Sequence, residues 1–110
     1  MNELPYNIDT LKKLCIEGKI AWKSHALKRL YQRNIRQREV IECILSGEII
    51  EEYISDKPYP SCLVFGCTVN GRKLHVVCST DNELVYIVTA YVPDQLKWES
   101  NYKTRKEVMI

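Results

Sequence analysis

At 110 residues, with 45% hydrophobic and 27% charged side chains, the chain has room for one domain and one core, and its ordinary globular composition argues against disorder. Its net charge of +2 is too small to name a nucleic-acid partner, so the distribution of charge must carry that argument. No apolar run approaches the roughly 18 residues of a membrane span, and the start, MNELPYNIDTLKKL, lacks the regions of a signal peptide.

The five cysteines are odd in number and have no CxxC spacing, which fits a reduced, cytoplasmic compartment and a role as small core residues. Ile8 to Gly18 reads as a first helix, with Asp9 as N-cap, Leu11, Leu14 and Cys15 on one face and Gly18 as the stop. Ser24 to Arg33 reads as a second, capped by Ser24, with Leu27, Leu30 and Tyr31 forming a buried stripe and Asn34 ending it in the left-handed conformation. A third runs from Gln37 to Ser46, burying Val40, Ile41, Ile44 and Leu45, and stops at Gly47.

From Glu48 the hydrophobic period changes to two. Strands are expected at Ile49–Ile54, Ser61–Val69, Arg72–Ser79 and Leu84–Val92. The fold class is therefore α+β, two to three N-terminal helices packed on a four-stranded antiparallel sheet, in one domain over 1–110. Asn70-Gly71 is a type I′ hairpin signal. A two-residue loop there pairs Cys67 with Leu74 and Gly66 with His75. Leu63, Phe65, Cys67, Leu74, Val76 and Cys78 then share the helix-packed face, with His75 on the other face beside glycine and open space. The turn at Asp81-Asn82 leaves two outcomes: a three-residue loop puts Tyr91 on the His75 face, and a two-residue loop turns it away. The segment from Pro93 is expected to be a loop or short helix that packs Trp98 onto the domain.

Charge is segregated. Lys19, Lys23, Lys28, Arg29, Arg33, Arg36 and Arg38 occur with no acid between Gly18 and Arg38. His25, Arg29 and Arg33 are spaced i, i+4, i+8, one stripe of the second helix. A merely solvated face normally mixes signs, and a stripe of fixed donors suits phosphate. Arg72 and Lys73, beside the hairpin, are further candidate phosphate contacts. His75, in an apolar strand, and His25 are candidate proton-transfer groups, because imidazole titrates near neutral pH. Neither histidine pairs with a cysteine at short spacing, so no metal site is expected. No phosphate-binding loop, HExxH, GxSxG or compelling carboxylate pair is present.

The pieces His25-Ala26-x-x-Arg29-x-x-x-Arg33-x-Ile35, Tyr59-Pro60, Leu74-His75-Val76-Val77 and Thr89-x-Tyr91-x-Pro93-Asp94, with Trp98 and Arg105, resemble the bacterial domain-of-unknown-function family numbered 4258, over roughly Ile20 to Arg105. That family is similar to RelE/ParE-type toxins of toxin–antitoxin pairs, small helices-then-sheet domains that include metal-independent ribonucleases.

The resemblance implies a toxin-like endoribonuclease without metal or cofactor, acting on free or ribosome-associated RNA and held by a cognate antitoxin. The expected catalytic residues are His75, His25, Arg29, Arg33 and Tyr91, with Lys28, Arg36, Arg72 and Lys73 binding substrate. The histidines would move protons, the arginines stabilise the phosphorane, and Tyr91 orient the substrate or replace one histidine. The alternatives are a non-catalytic basic binding module and a ParE-like toxin of a protein target.

Overall fold

The computed structural model describes residues 3–107. Helix α1 (Ile8–Ile16) buries Leu11, Leu14 and Cys15, and its cap is Asn7 rather than Asp9: the Asn7 side chain accepts from the Thr10 amide at 3.1 Å. Gly18, with φ +74°, closes it, and the Lys19 amide bonds back to the Leu14 carbonyl. Helix α2 (Ser24–Gln32) ends in the same way at Asn34, with φ +56°, where the Ile35 amide reaches the Leu30 carbonyl. Lys23, not Ser24, occupies its N-cap position, without a side-chain bond. The residues α2 buries are Ala26 and Leu30; Leu27 and Tyr31, expected in the core, are exposed, Tyr31 by 89%. Helix α3 (Gln37–Ser46) has the expected bounds and buries Val40, Cys43 and Ile44, while Leu45 is exposed.

The sheet has five strands, not four, and it is mixed rather than antiparallel. Strands β1 (Ile20–Trp22), β2 (Glu48–Tyr53), β3 (Ser61–Cys67), β4 (Lys73–Thr80) and β5 (Val85–Tyr91) lie in the order β1-β5-β4-β3-β2. The unexpected β1 has three residues, too few to display a period of two, and lies parallel to β5 with Ala21 opposite Tyr86.

The β3–β4 hairpin also differs from expectation by one residue. The Thr68 amide bonds to the Arg72 carbonyl, and Gly71, with φ +85°, sits in the turn, so the loop is Val69-Asn70-Gly71. Phe65, not Gly66, therefore stands opposite His75, and Gly66 faces Leu74. The slip sends Leu63, Phe65 and Cys67 to the His75 face. Cys62, Val64, Leu74, Val76 and Cys78 pack with the helices in the core, together with Val85, Ile87 and Ala90.

Gly66 instead permits a close helix–sheet approach, since a Cβ there would lie 2.0 Å from the Cys43 carbonyl oxygen. The face away from the helices is closed over His75 by the segment after β5, which is turn and loop: Trp98 is 2% exposed and bridges to Arg105.

Candidate functional site

The β4–β5 pairing contains a bulge that sets Tyr91's side. Val77 faces Thr89, but the next residue, Cys78, faces Ile87, so Val88 is the extra residue. The bulge brings Tyr91 directly opposite His75, on the same face.

His75 is fully buried. Its Nε2 lies 2.7 Å from the Tyr102 carbonyl oxygen, an acceptor only, so Nε2 carries the proton. Nδ1 then accepts from the Tyr91 hydroxyl, 3.3 Å away, a long contact for that bond. The imidazole is boxed by aromatic rings, with Trp98 edge-on at 4.5 Å and Tyr91 at 5.3 Å between centroids. Burial lowers its pKa, opposed by the Tyr102 carbonyl and the Glu51 charge. The expected open space above His75 is filled, and its route to any ligand runs through Tyr91.

Tyr91 opens onto a cleft of about 370 Å³ lined by Arg33, Asp94, Lys97, Trp98 and Arg105. Arg33, just past the end of α2, is anchored there by Nη1, which donates to Thr89 Oγ1 at 3.0 Å and the Ala90 carbonyl at 2.9 Å. Arg105 is held by a two-point bond to Glu51, Nε to Oε2 at 2.7 Å and Nη2 to Oε1 at 3.0 Å, with its guanidinium 4.6 Å above the Trp98 ring. The Arg105 bond holds the Glu51 carboxyl below its usual range. Tyr53 donates to Glu51 Oε1 at 2.6 Å, and burial together with that carboxylate pushes its phenol up to about 12. Burial also raises Tyr91. Asp94, the one acid lining the cleft itself among the described residues, accepts from the Leu96 amide within its own turn. Arg33, Lys97 and Arg105 thus line the cleft onto which Tyr91 opens, while the phenol proton points at a buried histidine.

The other expected site residues fall elsewhere. His25, at the start of α2, lines a second cleft of about 420 Å³ with Lys23, Lys57, Tyr59 and Tyr86, and shares no cleft with His75. Arg29 and Lys28 are exposed, and neither forms an ion pair among the described residues. Arg36 is exposed, and its backbone amide donates to Glu39 Oε1 at 2.9 Å. Arg72 is tied inward: Nη1 lies 2.9 Å from the Asn34 carbonyl and 3.3 Å from both Glu39 oxygens, and against its own desolvation the Glu39 carboxyl is lowered by the Arg36 amide and then by Arg72. Lys73 Nζ lies 3.3 Å from Cys67 Sγ. Sequence reasoning missed Lys97, Arg105 and Glu51 as parts of the site, although Arg105 and Trp98 stood in the motif string. Among the described residues no three His, Cys, Asp or Glu side chains are arranged to hold a metal ion.

No curated protein and no solved structure matches this chain. A family model, Domain of unknown function (DUF4258), matches residues 22–92, which takes in α2, α3, β2 to β5, His75 and Tyr91 and stops before Lys97, Trp98 and Arg105. That match spans well over half of the sequence, and the chain belongs to the DUF4258 family.

Proposed function

We propose that the chain is a metal-independent endoribonuclease of the toxin type, with its chemistry at Tyr91. The observation that carries this reading is the Tyr91 hydroxyl, set between buried His75 Nδ1 and a cleft whose walls are Arg33, Lys97 and Arg105. Because the phenol proton is directed at His75, the oxygen lone pairs are free to take the proton of an RNA 2′-hydroxyl, as the phenol proton passes to Nδ1. The 2′-oxygen then forms a bond to phosphorus and the bond to the 5′-oxygen breaks. Lys97 is the group in the cleft with a proton to give that leaving oxygen. Arg33 and Arg105 stabilise the extra negative charge of the phosphorane.

This arrangement assigns the histidines differently from a two-histidine acid–base pair. His75 acts behind Tyr91, and His25 belongs to the approach of the strand. Likeness to RelE/ParE-type toxins is part of the proposal and rests on α2 and α3 followed by the antiparallel strands β2 to β5, with the short parallel β1 as an addition, an argument from fold alone. It implies a cognate antitoxin that covers the basic α2 stripe with acidic groups.

The test is incubation of the full chain with free RNA and with ribosomes in the presence of a chelator. The expected products carry 2′,3′-cyclic phosphate and 5′-hydroxyl ends. Absence of cleavage on both substrates from pH 5 to 8 would overturn the enzyme. One observation favours a second reading, a non-catalytic RNA-binding module: His75 is fully buried with both nitrogens engaged, as a structural histidine is.

A further inference from the structure

The cleft at the other end of α2 has features that the chemistry at Tyr91 does not use. Its rim carries Lys23, His25 and Lys57, and among the described residues no acid lines it. Its aromatic wall is a pair of parallel rings, Tyr59 and Tyr86, with centroids 5.8 Å apart and planes 8° apart. Lys23 Nζ stands 5.9 Å over the Tyr86 ring. Tyr86 is fixed, since its hydroxyl donates to Asp81 Oδ2 at 2.7 Å, and the other Asp81 oxygen accepts the Glu83 and Leu84 amides. Tyr59 is 38% exposed, so its ring offers area to a ligand. The bulged Val88 also turns into this cleft.

Flat rings beside unopposed cations are the means by which proteins hold unpaired bases: a base stacks on the ring and its phosphate meets the cation. The two clefts share no lining residue, but the basic stripe of α2 runs from one to the other. His25 lines this one and Arg33 the one at Tyr91, two turns apart on α2, about 12 Å along the helix axis. Arg29 lies between them on the same stripe. Tyr86 and Tyr91 sit near opposite ends of β5, and the bulge leaves four ladder steps between them, roughly 13 Å on one face. An extended strand of a few nucleotides covers that span.

We infer that the Tyr59–Tyr86 cleft binds an unpaired nucleobase of a single-stranded RNA whose backbone follows His25, Arg29 and Arg33 to Tyr91. The inference names a subsite for the proposed ribonuclease and rests on that reading for the position of the cut strand. The binding itself can be measured without any cut.

The experiment measures affinity of the full chain for a short 2′-O-methyl oligoribonucleotide, which lacks the attacking hydroxyl, by fluorescence anisotropy. The same oligonucleotide with abasic positions and a poly-glutamate of equal charge serve as comparison probes. The unmodified-base strand should bind tightest. Tyr59→Ala should weaken it about five- to a hundredfold and bring it level with the abasic strand, while Tyr59→Trp should preserve binding. Circular dichroism confirms that each variant folds. Unchanged binding by folded Tyr59→Ala, or equal affinity for the base-bearing and abasic strands, would overturn the subsite. Poly-glutamate binding as tightly as the oligonucleotide would instead make the cleft an acidic-protein contact. A chain that cleaves RNA but is indifferent to Tyr59→Ala loses only the subsite. One that stacks bases but never cleaves loses only the enzyme.

Discussion

His75 stands directly across the β4–β5 ladder from Tyr91, and the phenol hydroxyl lies 3.3 Å from its Nδ1. The groups facing the imidazole are Tyr91, the Tyr102 carbonyl, Glu51 and Arg105, and burial dominates them in lowering its pKa. In the unfolded chain the imidazole takes its proton near pH 6.5, before the folded chain does. The neutral, buried ring therefore contributes stability that is fully present above that pH and is lost as pH falls toward the depressed folded value. Urea unfolding between pH 7.5 and 5 should show stability falling by at most about 1.4 kcal/mol per pH unit from this one proton. His75→Gln should flatten that slope while lowering stability throughout. Glu39, Glu51 and Asp81, whose carboxyls lie below their ordinary values, add their own loss only at more acid pH. A wild-type slope that is flat between pH 7 and 5.5 contradicts the assignment.

Gly66 tests how α3 meets the sheet. A methyl group would land 2.0 Å from the Cys43 carbonyl oxygen, and backbone atoms cannot swing aside. Gly66→Ala should cost about 3 kcal/mol or more, or prevent folding. Gly71, with nothing within 4 Å and φ +85°, meets only conformational strain. Gly71→Ala should cost about 1 kcal/mol. Thermal melts of both variants decide, and equal losses would refute the close approach.

Arg72 and Arg29 separate a structural arginine from a surface one. Arg72 holds the end of α2 and Glu39 together, so Arg72→Ala should lower stability by about 1–2 kcal/mol. Arg29→Glu, on an exposed face, should leave stability nearly unchanged, weaken RNA binding and reduce its salt dependence. Melting curves and RNA titrations at two salt concentrations compare them. An Arg29→Glu protein that binds RNA as the wild type does would place the strand elsewhere.

Much of the fold was legible because its signals are local. The apolar spacing of Val40, Ile41 and Ile44 marks α3, and Asn34 does adopt the positive φ expected of it. What escaped depends on contacts between distant segments. Strand β1 is three residues whose partner lies more than sixty positions away. Asn70-Gly71 signals a turn, but Thr68 decides its length by closing the loop on Arg72 through both its amide and its hydroxyl. That one-residue difference put Phe65 rather than Gly66 beside His75. For the site, the stripe and Tyr91 were readable, whereas the joining of Arg33 to Tyr91 follows from the bulge at Val88 and from the segment carrying Trp98, which no periodicity announces.

The most direct measurement is the single-turnover cleavage rate of RNA by Tyr91→Phe against the wild type, with chelator present. The substitution removes one oxygen from a half-buried ring and leaves its packing in place, so both proteins should fold and bind the uncleavable 2′-O-methyl strand with similar affinity. Loss of a proton-transfer group lowers the rate about 10²–10⁴-fold, and Tyr91→Phe should fall within that range. A Tyr91→Phe protein that cleaves within a few-fold of the wild-type rate would contradict the account and remove Tyr91 from the chemistry.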